Sequence, residues 1–384
     1  MSQYAGSKMP SKGGFNAQPY KKFIFTGPVP PVPIAFSKAI LHPDGKIRIY
    51  GGIRAANNQE PVLQFDPINL NWTTKAAHSG HGSENDTKNR SQKYVELPDG
   101  RVMAMVGGAA PYNHVQIYDY TLNTWTEVAP VPIVAPVTDY QADFPQIVLL
   151  NSGKVMAYGG RDGTPHWNTS IFIYDPALDT WTTSLATIQT ADVGTTSYGS
   201  TAWADGFGNI ILSVCKSTQT YKYDELADTI TAAYAFPSSL ASIQEVATNG
   251  TQVVNISLQS TFSLSCNGPQ FYSGVATGVM AAPEYFGAGG SVVKTTTQGF
   301  GILRGALNSN DASSNQVSKS IYKINWNPVD GWDGTVKKIG DGIYNTRNTV
   351  MIEDQFERLW SFGGYIGNNA NASAICEYID LKSI

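Results

Sequence analysis

Apolar positions along this chain come in short runs separated by turn residues. Lys154 to Tyr158 is apolar after its first residue and stops at Gly159-Gly160; Ile171 to Tyr174 is apolar and stops at Asp175-Pro176. Runs of this length, bounded by Gly, Pro, Asn and Asp, predict strands. The segment 151–185 holds a complete unit. Gly153 turns a hairpin, a strand runs to the Gly pair and a polar loop follows. A second strand then reaches an Asp-Pro turn, and Trp181 sits in a last short strand.

The unit recurs. Gly pairs stand at Gly51-Gly52, Gly107-Gly108, Gly159-Gly160 and Gly363-Gly364. The first two intervals are 56 and 52 residues, and the third is 204, four steps of 51. The aromatic markers keep the same beat: Phe65-Asp66-Pro67 precedes Trp72, Tyr118-Asp119 precedes Trp125, and Tyr174-Asp175-Pro176 precedes Trp181. Each repeat opens with an apolar strand and a turn, HPDG at 42–45, LPDG at 97–100 and NSG at 151–153. A four-stranded antiparallel sheet follows from this order. The glycines end the second strand at a backbone position of positive φ, and the Trp packs between neighbouring sheets, where a large flat side chain buries most area.

In the order and spacing of Gly pair, Tyr-Asp and Trp, the chain resembles the kelch-repeat family of β-propellers. Three repeats are clear, at 36–75, 92–128 and 144–184; those at 198–236, 243–282, 288–340 and 346–384 are degenerate. The last repeat lacks its Trp strand. Lys22 to Pro30 reads like Trp125 to Pro132, so a strand near 22–27 is expected to complete the last sheet and remove two free edges. The expectation is an all-β propeller of seven four-stranded blades, with six as the rival count, over residues 22–384, preceded by an extended arm at 1–21. WD repeats have a shorter period and their Gly-His and Trp-Asp signatures do not recur.

Composition narrows the function. Charged residues are 15% of 384 and the net charge is −4, so no electrostatic footprint for nucleic acid is present. No apolar run approaches the length of a membrane span, and the first 22 residues contain no apolar core like that of a signal peptide. The cysteines, Cys215, Cys266 and Cys376, are odd in number and widely spaced, which fits reduced buried thiols. Six Asn-x-Ser/Thr sequons are about what an Asn/Ser/Thr-rich chain gives by chance.

In the propellers resembled here, the loops after the Gly pair and the loops between blades gather on one face, the default binding site. Loop-face candidates are Arg54, Tyr112, His114, Arg161, Asp162, His166, Trp167, Arg304, Arg347 and Tyr365. Several arginines round one axis could clamp a carboxylate or phosphate. The plainer reading pairs each with an Asp of the neighbouring blade, for which Asp139 and Asp143 are available. Arg161, His166 and Trp167 could offer a cation, an imidazole and a ring to a sugar or peptide. His78 and His81, with Glu84 and Asp86, have metal-ligand types, but the glycines between them fit a solvated loop better, and no cofactor is expected. Copper radical oxidases of the galactose oxidase type need a Cys beside a Tyr in a top loop, which is not found. The pattern of the kelch-like sialic-acid epimerases cannot be placed either.

The expected function is a non-enzymatic binding or scaffold subunit. Its partners would be other proteins of a large assembly, a bacteriophage or viral particle, which places it in the virion, in the neck, tail or host-attachment region. A secreted kelch-type carbohydrate-active or glycan-binding protein is the alternative, and a kelch interaction adaptor the second.

Overall fold

The computed structural model describes residues 24–35, 37–52, 61–78, 93–105, 113–132, 145–159, 170–188, 201–204, 209–213, 219–235, 243–248, 253–258, 270–272, 277–279, 285–295, 301–307, 319–324, 336–347, 349–366 and 372–384. They form seven four-stranded antiparallel sheets and a two-stranded ribbon. The first blade comprises Lys38–Leu41, Ile47–Tyr50, Pro61–Asp66 and Asn71–Ala77. The second is Lys93–Glu96, Val102–Met105, Val115–Asp119 and Thr124–Val128. The third is Pro145–Leu149, Val155–Gly159, Ser170–Asp175 and Thr180–Thr187. The fourth is Thr201–Ala204, Ile210–Ser213, Gln219–Asp224 and Thr229–Ala235.

The fifth blade lacks every sequence marker and still forms four strands, Ile243–Thr248, Val253–Leu258, Gln270–Tyr272 and Thr277–Val279. The sixth comprises Tyr285–Lys294, Gly301–Leu307, Ser320–Ile324 and Val336–Asp341. The seventh joins both ends of the chain. Val350–Glu353, Arg358–Phe362 and Cys376–Asp380 are followed in the sheet by Ile24–Thr26, with Ile24 opposite Ile379 and Thr26 opposite Glu377. First strands of successive blades lie against one another, and that of the seventh lies against that of the first. The helical content among the described residues is one 3-10 turn, Leu381–Ser383, capped by Asp380.

The cores lie between blades. Met103, Met105, Val115 and Ile117 of the second blade pack on Val155, Ala157, Phe172 and Tyr174 of the third. Ile49, Leu63 and Phe65 of the first meet Trp360 and Phe362 of the seventh. The sheets of the first, second, third and seventh blades are therefore apolar on both faces, and the buried patterns of Val102–Met105 and Ile47–Tyr50 show no alternation.

The Gly pair earns its place by geometry. Gly51 has φ +64, and a Cβ there would collide with the Tyr94 ring of the next blade. Gly363 has φ +62, and a Cβ there would collide with the Ile34 carbonyl, which accepts a hydrogen bond from Gly364 N at 2.7 Å. Gly52 and Gly364 are also left-handed, at +96 and +90, and Gly159 at +71. The pair ends the second strand and lets the chain entering the first blade, at Ile34 and Ala35, cross close above. Gly107, Gly108 and Gly160 lie outside the described residues.

Candidate functional site

The sheets have two rims. Strands one and two, and strands three and four, are joined at one rim, the turn face; strands two and three, and successive blades, are joined at the other, the loop face. Of the candidates read from the sequence, Arg54, His81, Tyr112, Arg161, Asp162, His166 and Trp167 lie outside the described residues, and so does the Arg347 side chain. His114 is partly exposed and its Nδ1 lies 2.9 Å from Glu127 Oε1 of its own blade. Tyr365 is buried, packed with Ala35 and Ala372. Its backbone pairs with Arg347 in the two-stranded ribbon formed by Thr346–Arg347 and Tyr365–Ile366.

Arg304 is not a loop-face cation. It stands within a strand of the sixth blade, 2% exposed, and its guanidinium pairs with Glu377 of the seventh blade, itself 1% exposed. Arg304 Nη2 donates to Tyr344 O at 2.7 Å and Nη1 to Ser361 Oγ at 3.2 Å. Glu377 Oε2 accepts from Ile343 N at 2.9 Å. A Cβ on Gly342 would sit 2.7 Å from Arg304 Nη2, so glycine is what lets the backbone approach the ion pair. This is the pairing with a neighbouring blade that the plainer sequence reading gives, formed with Glu rather than Asp.

Two of the described histidines are buried in the packing. His78 is buried, edge-on to Trp125 at 5.6 Å. His42 is buried, its Nε2 2.8 Å from Tyr50 Oη. Burial, with the Arg48 charge, lowers its pKa to about 4, so it is neutral near pH 7. Among the described residues no group of three His, Cys, Asp or Glu is placed to hold a metal ion. Cys376 is a buried free thiol whose pKa is pushed up by burial and by the Glu377 charge.

The turn face holds a device the sequence reading did not isolate. Asn123, with φ +56, closes the turn between the third and fourth strands of the second blade. Its Oδ1 accepts from Tyr118 Oη at 2.8 Å and reaches the first blade, accepting from Ala76 N at 2.9 Å. Trp125 Nε1 donates to Ala76 O at 3.2 Å. One peptide residue of the first blade is thus held at both its N–H and its C=O. The next seam repeats the arrangement: Asp179 (φ +51) accepts from Tyr174 Oη and Ala129 N, and Trp181 Nε1 donates to Ala129 O. In the fourth blade Asp228 (φ +49) accepts from Tyr223 Oη and Leu185 N, and also from Ser184 Oγ. Ile230 replaces the Trp there.

The first blade shows the converse. Trp72 Nε1 donates to Pro28 O at 2.8 Å, but Pro28 has no N–H, and Leu70 (φ +53) occupies the Asn/Asp position. The acceptor is missing where there is no donor. A recurrent signal, Asn or Asp directly before Thr-Trp or Thr-Ile at 123, 179 and 228, marks these residues in the sequence.

The same turns project apolar side chains. Ile68 is 65% exposed, Leu122 71%, Leu178 70% and Leu226 100%. They belong to four consecutive blades and occupy the second or third position after the turn-opening Asp66, Asp119, Asp175 and Asp224. Those carboxylates cap the turns: Asp119 Oδ1 accepts from Thr121 N and Leu122 N, and Asp224 Oδ1 from Leu226 N and Ala227 N. The hydrogen bonds, from Thr121 Oγ1 first, hold the Asp119 carboxyl below the usual range. The exposed side chains therefore stand on pinned turns.

No family model matches the chain. A stretch of 159 residues is 24% identical to the Kelch repeat and BTB domain-containing protein F47D12.7 of Caenorhabditis elegans, covering 40% of this chain and 25% of that protein. The chain thus spans about a quarter of the length of the curated relative it matches. Among solved structures, a fungal alcohol oxidase in complex with copper aligns at TM-score 0.66 and 15% identity, over 94% of this chain and 76% of its own. A streptogramin B lyase aligns at TM-score 0.61 and 11% identity, over 94% and 98%. At such identities the likeness concerns the architecture, and the activities belong to those proteins. The kelch markers, the sheet order and these matches agree on the architecture of a kelch-type β-propeller. No helix among the described residues is long and apolar enough to cross a membrane.

Proposed function

We propose that this kelch-type β-propeller is a non-enzymatic protein-binding subunit of a large assembly, a bacteriophage or viral particle, and acts in the neck, tail or host-attachment region. The observation that carries the reading is the arc of Ile68, Leu122, Leu178 and Leu226, exposed on pinned turns of four consecutive blades. Rigid, repeated apolar contacts rimmed by polar groups suit a protein partner, because they bind without a large ordering cost. The low charge content, 15%, is in keeping with surface that is covered in an assembly.

The test is incorporation. Leu122→Asp, Leu178→Asp and Leu226→Asp combined leave the fold intact, since all three side chains are exposed. Particles assembled with the wild-type chain should contain it by mass spectrometry and show it by electron microscopy, and the triple variant should be absent. Equal incorporation of the variant rejects the turn face as the contact. A protein found outside any particle, with a melting temperature raised by a sugar, supports the secreted glycan-binding alternative instead.

A further inference from the structure

Three seams between blades hold one residue each of the preceding blade, four places after its Trp: Ala76 after Trp72, Ala129 after Trp125 and Leu185 after Trp181. Ala76 and Ala129 are held twice, at the N–H by Asn123 or Asp179 and at the C=O by the indole of Trp125 or Trp181. Leu185 is held once. Its N–H donates to Asp228 Oδ2 at 2.7 Å, but Ile230 stands at the indole position, and its side chain carries no N–H. The Leu185 carbonyl therefore lacks the donor that its two counterparts have.

The apolar surface differs at the same place. Ala76 and Ala129 are half-buried, whereas Leu185 is 89% exposed. Leu226, two residues before the Asp228 that binds Leu185, is 100% exposed. Asp228 also accepts from Ser184 Oγ and Tyr223 Oη, so the backbone beneath both leucines is fixed. Purely apolar cover would take water from the Leu185 carbonyl and give it nothing in return. A flat apolar side chain bearing an N–H covers the leucines and completes the carbonyl together. Indole is such a group, it is favoured at the centre of protein contacts, and the chain itself uses it at the two preceding seams.

We propose that a partner protein docks at the seam between the third and fourth blades by laying a tryptophan side chain against Leu185 and Leu226, its indole N–H donating to Leu185 O. The partner supplies from outside what Trp125 and Trp181 supply from within. The docking rests on the turn face being a protein contact, as read above, but it is measured on the isolated chain rather than by incorporation into particles.

The probe is N-acetyltryptophanamide, read by saturation-transfer difference NMR on the full chain, beside its N1-methyl analogue, which cannot donate. The wild-type chain should saturate the indole protons, with a signal about fivefold weaker for the methylated probe, the worth of one hydrogen bond. Ile230→Trp, which provides the indole internally, and Leu185→Ser/Leu226→Ser, which alters exposed side chains alone, should each remove the signal. Should Ile230→Trp fail to fold, the serine variant decides. No signal from the wild-type chain, equal signals from the two probes, or a signal that survives in a folded variant overturns the proposal. Such a failure leaves incorporation through the turn face standing, and failed incorporation leaves the probe result standing.

Discussion

Replacing Asn123 with alanine tests whether the left-handed turn residue is a clamp between blades. Its Oδ1 accepts from Ala76 N of the preceding blade and from the buried Tyr118, whose pKa burial pushes up to about 12. Each hydrogen bond is worth about 1 kcal/mol net. Alanine at φ +56 adds about 1 kcal/mol of backbone strain relative to Asn. Asn123→Ala should therefore cost about 3 kcal/mol. Asn123→Gly, which accepts the angle but not the hydrogens, should cost about 2 kcal/mol, and Asn123→Asp, which keeps the acceptor, should stay within about 1 kcal/mol of wild type. The assay is urea unfolding followed by tryptophan fluorescence, read as a midpoint shift at constant slope. If Ala and Gly were equally mild, each under about 0.5 kcal/mol, the side chain would not be a clamp and the reading of all three seams would fall.

The converse seam gives a gain-of-lock test: Pro28→Ala with Leu70→Asn restores donor and acceptor, and the double-mutant cycle should show a favourable coupling of about 1 kcal/mol, while no coupling would mean that the two positions do not meet. His42 has a folded-state pKa of about 4 against 6.5 unfolded. The unfolded chain takes the proton first, so up to about 3 kcal/mol of stability present above pH 6.5 is lost as pH falls toward 4. His42→Gln should flatten that slope in unfolding experiments across this range, and an unchanged slope would assign it elsewhere. Glu377→Gln leaves Arg304 charged and buried and should cost about 3–5 kcal/mol, whereas Arg304→Met with Glu377→Leu should cost less than either single change. A double variant worse than both singles would contradict an isolated ion pair.

Much of the architecture was legible because it repeats. The Gly pairs, the Asp turns and Trp72, Trp125 and Trp181 recur in register, and the N-terminal strand was found by its likeness to Trp125–Pro132. The fifth blade was hardest to read, since its pairing rests on backbone hydrogen bonds that leave no residue signature. Arg304 reads from the sequence as a loop-face candidate because its partner, Glu377, lies in another blade and sequence carries no distance between them. Asn123, Asp179 and Asp228 stand in the sequence like any turn residue, since their second role depends on the preceding blade. Most of the loop-face candidates lie outside the described residues, and the exposed leucines stood in the sequence without any sign of which way they point.

Pairing Ile24 with Ile379 has a consequence for synthesis. The strand made first is used last, after roughly 350 further residues have been added. At about 5–20 residues per second that is on the order of tens of seconds during which its edge is without its partner. Its length of three residues, the prolines at 28, 30 and 31 and the lysines at 21 and 22 are features that keep a waiting strand from pairing with a stranger. The seventh sheet is thus the last to become complete, once Cys376–Asp380 is available to pair with Ile24–Thr26.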